Sequence, residues 1–236
     1  MKEIKKSSLE SRVEKLAVRI ESLAGKTGLV FLDNCAIIDF EREIERHKLV
    51  DSSIHGADFY KAFVDRGIHF YVTEHILGEA LNHNSYNLVK GKPEISSETI
   101  GEVVKMHQKY CDFIKIGEPQ IPIDKVRYDT YWASLVAFDE YHKKSCIDPI
   151  SKNDRELVSS TVWAKHLEFP GYLEENVKSM ASGAVIISPD CHVVNAVNVL
   201  TGRDCEAIER IKKKIDSPNS LEGGFGYNGI YVISSR

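Results

Sequence analysis

The sequence predicts an α/β domain, a three-layer α/β/α sandwich built on a mainly parallel sheet of roughly five strands. Three observations predict it. Short apolar runs of strand length alternate with stretches of helical periodicity along the chain. Tight hairpin signals between neighbouring strands are lacking, the main one being Asn228-Gly229 just before the last strand. Acidic residues close two of the apolar runs, at the strand ends where open α/β sheets bind ligands. A length of 236 residues with 42% hydrophobic residues fits one such domain with additions.

The amino-terminal unit, residues 1–25, is an amphipathic helix. Leu9, Val13, Leu16, Ile20 and Leu23 recur at four- and three-residue steps over residues 8–24, and Gly25 to Gly28 stops the helix. About two heptads are too few for a stable coiled coil, so the stripe is expected to pack onto its own domain. The main domain, residues 26–236, opens with Gly28-Leu-Val-Phe-Leu-Asp33 as the first strand, followed by a mixed helical stretch to Asp65 and a turn at Arg66-Gly67. The second strand covers 68–72, and Thr73 caps a helix that turns Ile76, Leu77, Ala80 and Leu81 inward. Residues 84–150 form a helical insertion, with helices over 97–110 and 124–144 and the third strand, 113–116, between them. A helix over 153–167, a connecting helix, a strand over 184–187, helices over 191–200 and 206–215, and a last strand over 230–233 complete the chain. This alternation is the mark of parallel strands covered on both faces.

Thirty-one basic against 35 acidic residues give a formal charge of -4, which excludes a globally basic nucleic-acid binder and leaves room for a local basic patch. No stretch approaches the roughly 20 apolar residues of a membrane span, and the expectation is a soluble, cytoplasmic protein. Five widely spaced cysteines without a Cys-x-x-Cys pair read as reduced, mostly buried thiols.

Four carboxylates carry the chemistry. Asp33 and Asp190 each leave an apolar strand, Asp154 opens a helix, and Glu79 lies on the helix after the second strand. Each has a structural explanation alone: Asp33 and Asp190 as helix caps, Asp154 as part of a capping box with Ser151, and Glu79 as a solvated residue. As a set they are expected to converge on one rim. Without a counterion they would raise one another's pKa values, and oxygen-only clusters of this kind suit Mg²⁺ or Mn²⁺.

The order of strand-Asp33, strand-Thr73 to Glu79, Asn153-Asp154 with Thr161 and Ala164, and strand-Ser188-Pro189-Asp190 resembles the PIN-domain nuclease family, over roughly residues 28–234. The resemblance implies a compact PIN-like sandwich that hydrolyses phosphodiester bonds, most often in RNA, with one or two divalent cations. Carried over, Asp33, Asp154 and Asp190 would be metal ligands, and Glu79 a ligand or water-orienting residue. Ser188 would match the hydroxyl residue supporting the site, and Asn34 the small polar residue beside the first acid. His192 stands where many relatives carry a further acid, Cys35 where a polar residue is common, and the segment 84–150 is longer than in compact toxin members. The implied partners are single-stranded or structured RNA, a second copy in a homodimer, and an antitoxin-like protein.

Lesser signals have simpler explanations. Cys35, Cys191 and His192 form a conceivable zinc set, with core thiols the default. Lys212-Lys213-Lys214 fits a solvated helix face as well as a phosphate contact, and Gly223 to Tyr227 a loop with aromatic residues for base stacking. Trp132 and its neighbouring tyrosines read as core, and His75, His83 and His107 show no metal-ligand spacing. Two other readings compete: a PIN-like module that has lost turnover and binds RNA or protein, and a phosphoacceptor signalling domain using Asp33. The latter lacks the early acidic pair and late lysine it needs.

Overall fold

The computed structural model describes residues 2–25, 29–49, 52, 56–73, 75–76, 78–79, 82, 111–114, 135–136, 150–166, 183–203 and 229–235. Its elements are α1 (Lys2–Ala24), β1 (Leu29–Leu32), α2 (Asn34–Lys48), α3 (Gly56–Val64), β2 (His69–Thr73) and β3 (Cys111–Ile114). They continue with α4 (Lys152–His166), β4 (Ala184–Ile187), α5 (Cys191–Leu200) and β5 (Ile230–Ile233). The expected helices over 97–110, 124–144 and 206–215, the lysine run, the glycine-aromatic loop, Trp132, His83 and His107 lie outside the described residues, apart from 135 and 136.

The five strands form one sheet in the order β3-β2-β1-β4-β5, with every pair parallel. Chain direction across the sheet therefore reverses at β1. The chain runs outward through β2 and β3, then returns to place β4 on the other side of β1. In such sheets the crevice beyond the strand ends at that reversal is the usual ligand site. β1 and β4 are buried along their whole length, which requires cover on both faces.

The helices supply that cover. α1 packs on β1, β4 and α3, while α4 reaches β1, β2, β4 and β5 and also packs on α5. The α1 stripe is used internally: Val13, Ala17, Ile20 and Ala24 are buried. Arg12 reinforces the packing by donating to the Ser235 carbonyl at 2.9 Å and pairing with Glu43 at 2.6 Å, and Arg66 pairs with Glu14. Gly25, at φ 83°, ends the helix as an αL residue whose amide donates to the Glu21 carbonyl.

The stretch over 34–65 resolves into α2 and α3, which lock onto β2 through aromatic rings. Phe70 of β2 lies 5.1 to 6.4 Å, centroid to centroid, from Phe63, Tyr60 and Phe40. Within that cluster the Tyr60 hydroxyl donates to the buried Glu41 carboxylate at 3.1 Å. β3 begins two residues earlier than its apolar run implies, because Cys111 and the polar Asp112 pair with Phe70 and Tyr71. Asn228 lies outside the described residues; Gly229 leads into β5, which pairs parallel to β4.

One close approach fixes where α1 meets the sheet. A Cβ added at Gly183, just before β4, would stand 2.6 Å from the Leu23 carbonyl oxygen and 2.8 Å from that of Gly229. Both obstacles are backbone, so relief requires moving α1 or β5. Gly183→Ala is expected to destabilise the fold by about 1–3 kcal/mol, read as a lower urea midpoint at unchanged slope. An unchanged midpoint would show that α1 does not dock this closely.

Candidate acidic site at the strand reversal

The register β1–β4 sets the centre of the site. Leu32 pairs with Ile187, so Asp33 and Ser188 are the next residues out on neighbouring strands. The ladder continues through them, with the Asp33 amide donating to the Ile187 carbonyl at 3.1 Å and the Ser188 amide to that of Ile233 at 2.9 Å. Ser188 Oγ donates to Asp33 Oδ2 at 2.6 Å and accepts from the Asp190 amide at 3.0 Å. Because its own proton goes to the carboxylate, this hydroxyl ties both strand-exit acids together.

Asp33 occupies the N-cap position of α2, yet its side chain makes no cap hydrogen bond. It is 3% exposed. Burial pushes its carboxyl up from the usual 3.8 to about 6; Asp154 and Asp190 push the same way, against the lowering effects of Ser188 and the Asn34 amide. Asn34 is buried beside it, and among the described residues its Oδ1 has no hydrogen-bond partner.

Asp190 and Asp154 keep their capping duties as well. Asp190 caps α5, accepting from the His192 amide at 2.8 Å. Ser151 accepts from the Asp154 amide at 3.0 Å, the arrangement of a capping box. Burial, then the charges of Asp190 and Glu79, still hold the Asp154 carboxyl above its ordinary value, against hydrogen bonds from Ser151.

Glu79 is brought in by a residue that sequence reasoning assigned no role. Asn153 Nδ2 donates to Glu79 Oε2 at 2.6 Å, linking the helix after β2 to the start of α4. Thr73 caps that helix, accepting from the Ile76 amide at 3.3 Å. Asn153 adjoins Asp154 in the sequence, and the signals that point to it are a polar pair at a helix start and its place in the motif that carries the resemblance.

Cys35 registers the whole set. Although the residue is exposed, desolvation of its partly covered sulfur, followed by the charges of Asp33, Asp190, Asp154 and Glu79 in that order, pushes its thiol up to about 12. All four expected acids lie within electrostatic reach of this thiol. The expectation of mostly buried thiols needs correction here: Cys35 and Cys191 are free and exposed, because each lies in the first turn of a helix that opens at the sheet edge. The side chains of the other three cysteines lie outside the described residues.

The oxygen donors gathered here are of the type a hard divalent cation takes, but among the described residues no three of these carboxylates bring ligand atoms within 4.8 Å of one another. Four carboxylates and the orphaned Asn34 Oδ1 are oxygen donors of the kind Mg²⁺ and Mn²⁺ take. A second set overlaps it: the ligand atoms of Asp190, Cys191 and His192 all lie within 4.8 Å of one another. This set mixes oxygen, sulfur and nitrogen and contains His192 and Cys191 of the zinc trio, with Asp190 in place of Cys35. Elsewhere, a groove of about 490 Å³ between α1 and α2 is lined by Arg12, Asp39, Arg42, Glu43 and Arg46, where acids and arginines pair.

Removing the hydroxyl that ties the strand ends tests the arrangement. Ser188→Ala is expected to weaken Mn²⁺ binding by about 10–100-fold, the effect of losing an outer partner of a ligand, measured by calorimetric titration of the folded variant. Unchanged affinity would remove Asp33 from the binding set.

No helix among the described residues is long and apolar enough to cross a membrane. Models of known protein families, curated proteins and solved structures give no match to this chain.

Proposed function

We propose that the chain is a metal-dependent phosphodiester hydrolase, an RNA endonuclease of PIN-like type. One observation carries the reading: at the strand reversal Ser188 bonds the Asp33 carboxylate and the Asp190 amide, and Asn153, next to Asp154, bonds Glu79, so four separate segments bring acids towards one rim. A purely structural role explains any one of these acids. It does not explain gathering four where each raises the cost of ionising another.

In this reading Asp33, Asp154 and Asp190 hold Mg²⁺ or Mn²⁺, which when bound polarises the phosphate and lowers the pKa of water. Ser188 keeps Asp33 aimed, and Asn153 keeps Glu79 in place to orient the attacking water. The acidic rim repels an RNA chain until the cation offsets its charge, so substrate and metal bind together.

The test is cleavage of a labelled single-stranded RNA with Mn²⁺ or Mg²⁺, beside a chelator control and the Asp33→Asn and Asp190→Asn proteins. Metal-dependent cutting lost in both variants supports the reading. Absence of cutting, or cutting that survives the substitutions, favours the alternative of an inactive PIN-like module that binds RNA or protein.

A further inference from the structure

Glu156 of α4 is 7% exposed, and a carboxylate at that depth requires a partner. His75 provides it: Nδ1 lies 2.7 Å from Oε1 and 2.6 Å from Oε2. A carboxylate only accepts, so Nδ1 carries the hydrogen and donates it, which fixes the orientation of the ring. The His75 side chain is 56% exposed. Among the described residues nothing hydrogen-bonds Nε2, and the ring is held by one nitrogen with the other available.

The pair stands beside the acids. His75 is four residues, about one turn, before Glu79 on the same helix. Glu156 lies two residues after Asp154 on α4, and Asn153 bonds Glu79 across the same two helices. His75 to Glu156 and Glu79 to Asn153 are thus successive rungs of one polar ladder ending at the rim. Ionised carboxylates accept protons and donate none, so the acidic cluster lacks a donor for a departing alkoxide. An exposed imidazole backed by a buried carboxylate is the group that chemistry uses for this purpose.

We propose that His75, oriented by Glu156, is the general acid of the acidic site, an inference that rests on the phosphodiesterase reading above. The oxygen of water bonds to phosphorus, and the bond from phosphorus to the leaving oxygen breaks with its electron pair on that oxygen. The reacting form is the imidazolium, with the Nδ1 hydrogen held by Glu156 and a second on Nε2; the leaving oxygen takes the Nε2 proton and leaves the neutral Nδ1–H ring. The imidazole recovers a proton from solvent, which receives the one released by the attacking water, so the net reaction consumes one water.

The experiment compares two substrates with Mn²⁺, wild type against His75→Gln: single-stranded RNA, whose alkoxide needs a proton to leave, and bis(4-nitrophenyl) phosphate, whose phenolate does not. The expected result is a fall in kcat of about 100-fold or more on RNA, with hydrolysis of the nitrophenyl ester near wild type. Equal losses on both substrates mean a structural role and overturn the proposal, as does unchanged cleavage of RNA. A wild type inactive on both substrates overturns the phosphodiesterase reading, and the role of His75 with it. Should the wild type cut RNA alone, nitrogen-15 spectra of the imidazole in alkaline buffer decide: the Nδ1–H tautomer supports the assignment and the Nε2–H tautomer overturns it.

Discussion

Asp33→Asn is expected to make the metal-free protein more stable at pH 7.5 while lowering metal-dependent cleavage by at least about 100-fold, since a ligand should cost no less than its outer partner. The stability gain follows from the direction of the shift. The folded-state value of Asp33 is raised from 3.8 to about 6, so the native state holds the proton more tightly than the unfolded chain. Its favourable contribution is complete below about pH 3.8 and is lost as pH rises through about 6. At pH 7.5 the ionised carboxylate therefore burdens the metal-free fold by an upper bound of roughly 3 kcal/mol, which a neutral amide removes. Asn also retains an oxygen to accept the Ser188 hydroxyl. The gap between the two proteins should close on acidification towards pH 4, measured by urea unfolding in chelator across that range. Adding Mn²⁺ should reverse the ranking, because binding to the native state stabilises only the protein that binds. A variant less stable than wild type at pH 7.5 would mean that the carboxylate serves the fold, which would remove the strongest physical argument for a cation at this position.

Phe70→Ala should produce the largest loss of stability, about 3–5 kcal/mol. Phe70 is fully buried in β2 and lies edge-on to Tyr60 and Phe63, with Phe40 tilted against it. Its ring joins three elements, so neighbours can collapse into the space only by separating α2 or α3 from the sheet. α2 begins at Asn34, one residue beyond Asp33, and loosening it should reach the acidic rim too. The measurement is a urea titration with circular dichroism, paired with Mn²⁺ binding. A loss below about 1 kcal/mol would mean that the aromatic contacts form no tight core.

Much of the architecture was legible where one signal dominated. β4, α5 and β5 fall on the residues that their apolar runs and periodicity imply. β3 begins two residues early because Asp112 is polar and interrupts the run that would mark the strand. Residues 34–65 read as one mixed stretch because Phe59, Tyr60 and Phe63 continue a helical pattern, while Phe70, on which Tyr60 and Phe63 pack, belongs to another element.

The site divides along the same line. Asp33 and Asp190 could be read because a strand exit is a local feature, and the parallel sheet then makes them neighbours. Asn153 with Glu79, and Glu156 with His75, are contacts between helices 74 and 81 residues apart. No periodicity within either helix reveals them. His75 shows no metal-ligand spacing in the sequence, and its partner, Glu156, is an acid on a distant helix.

The docking of α1 on β4 sets an order of events during synthesis. About 160 residues separate Ala24 from Ala184, which at roughly 5–20 residues per second is a delay of some 8 to 30 s before the second strand of that contact leaves the ribosome. β2 follows β1 after a few tens of residues, so β1 gains one neighbour early and keeps its other edge open. During that interval α1 has β1 and α3 to pack on but lacks β4, and β1 presents one unpaired edge. When β4 arrives it closes the sheet, covers α1 and brings Ser188 to Asp33 together. Assembly of the acidic rim is therefore a late step, and until then the carboxylates are held apart.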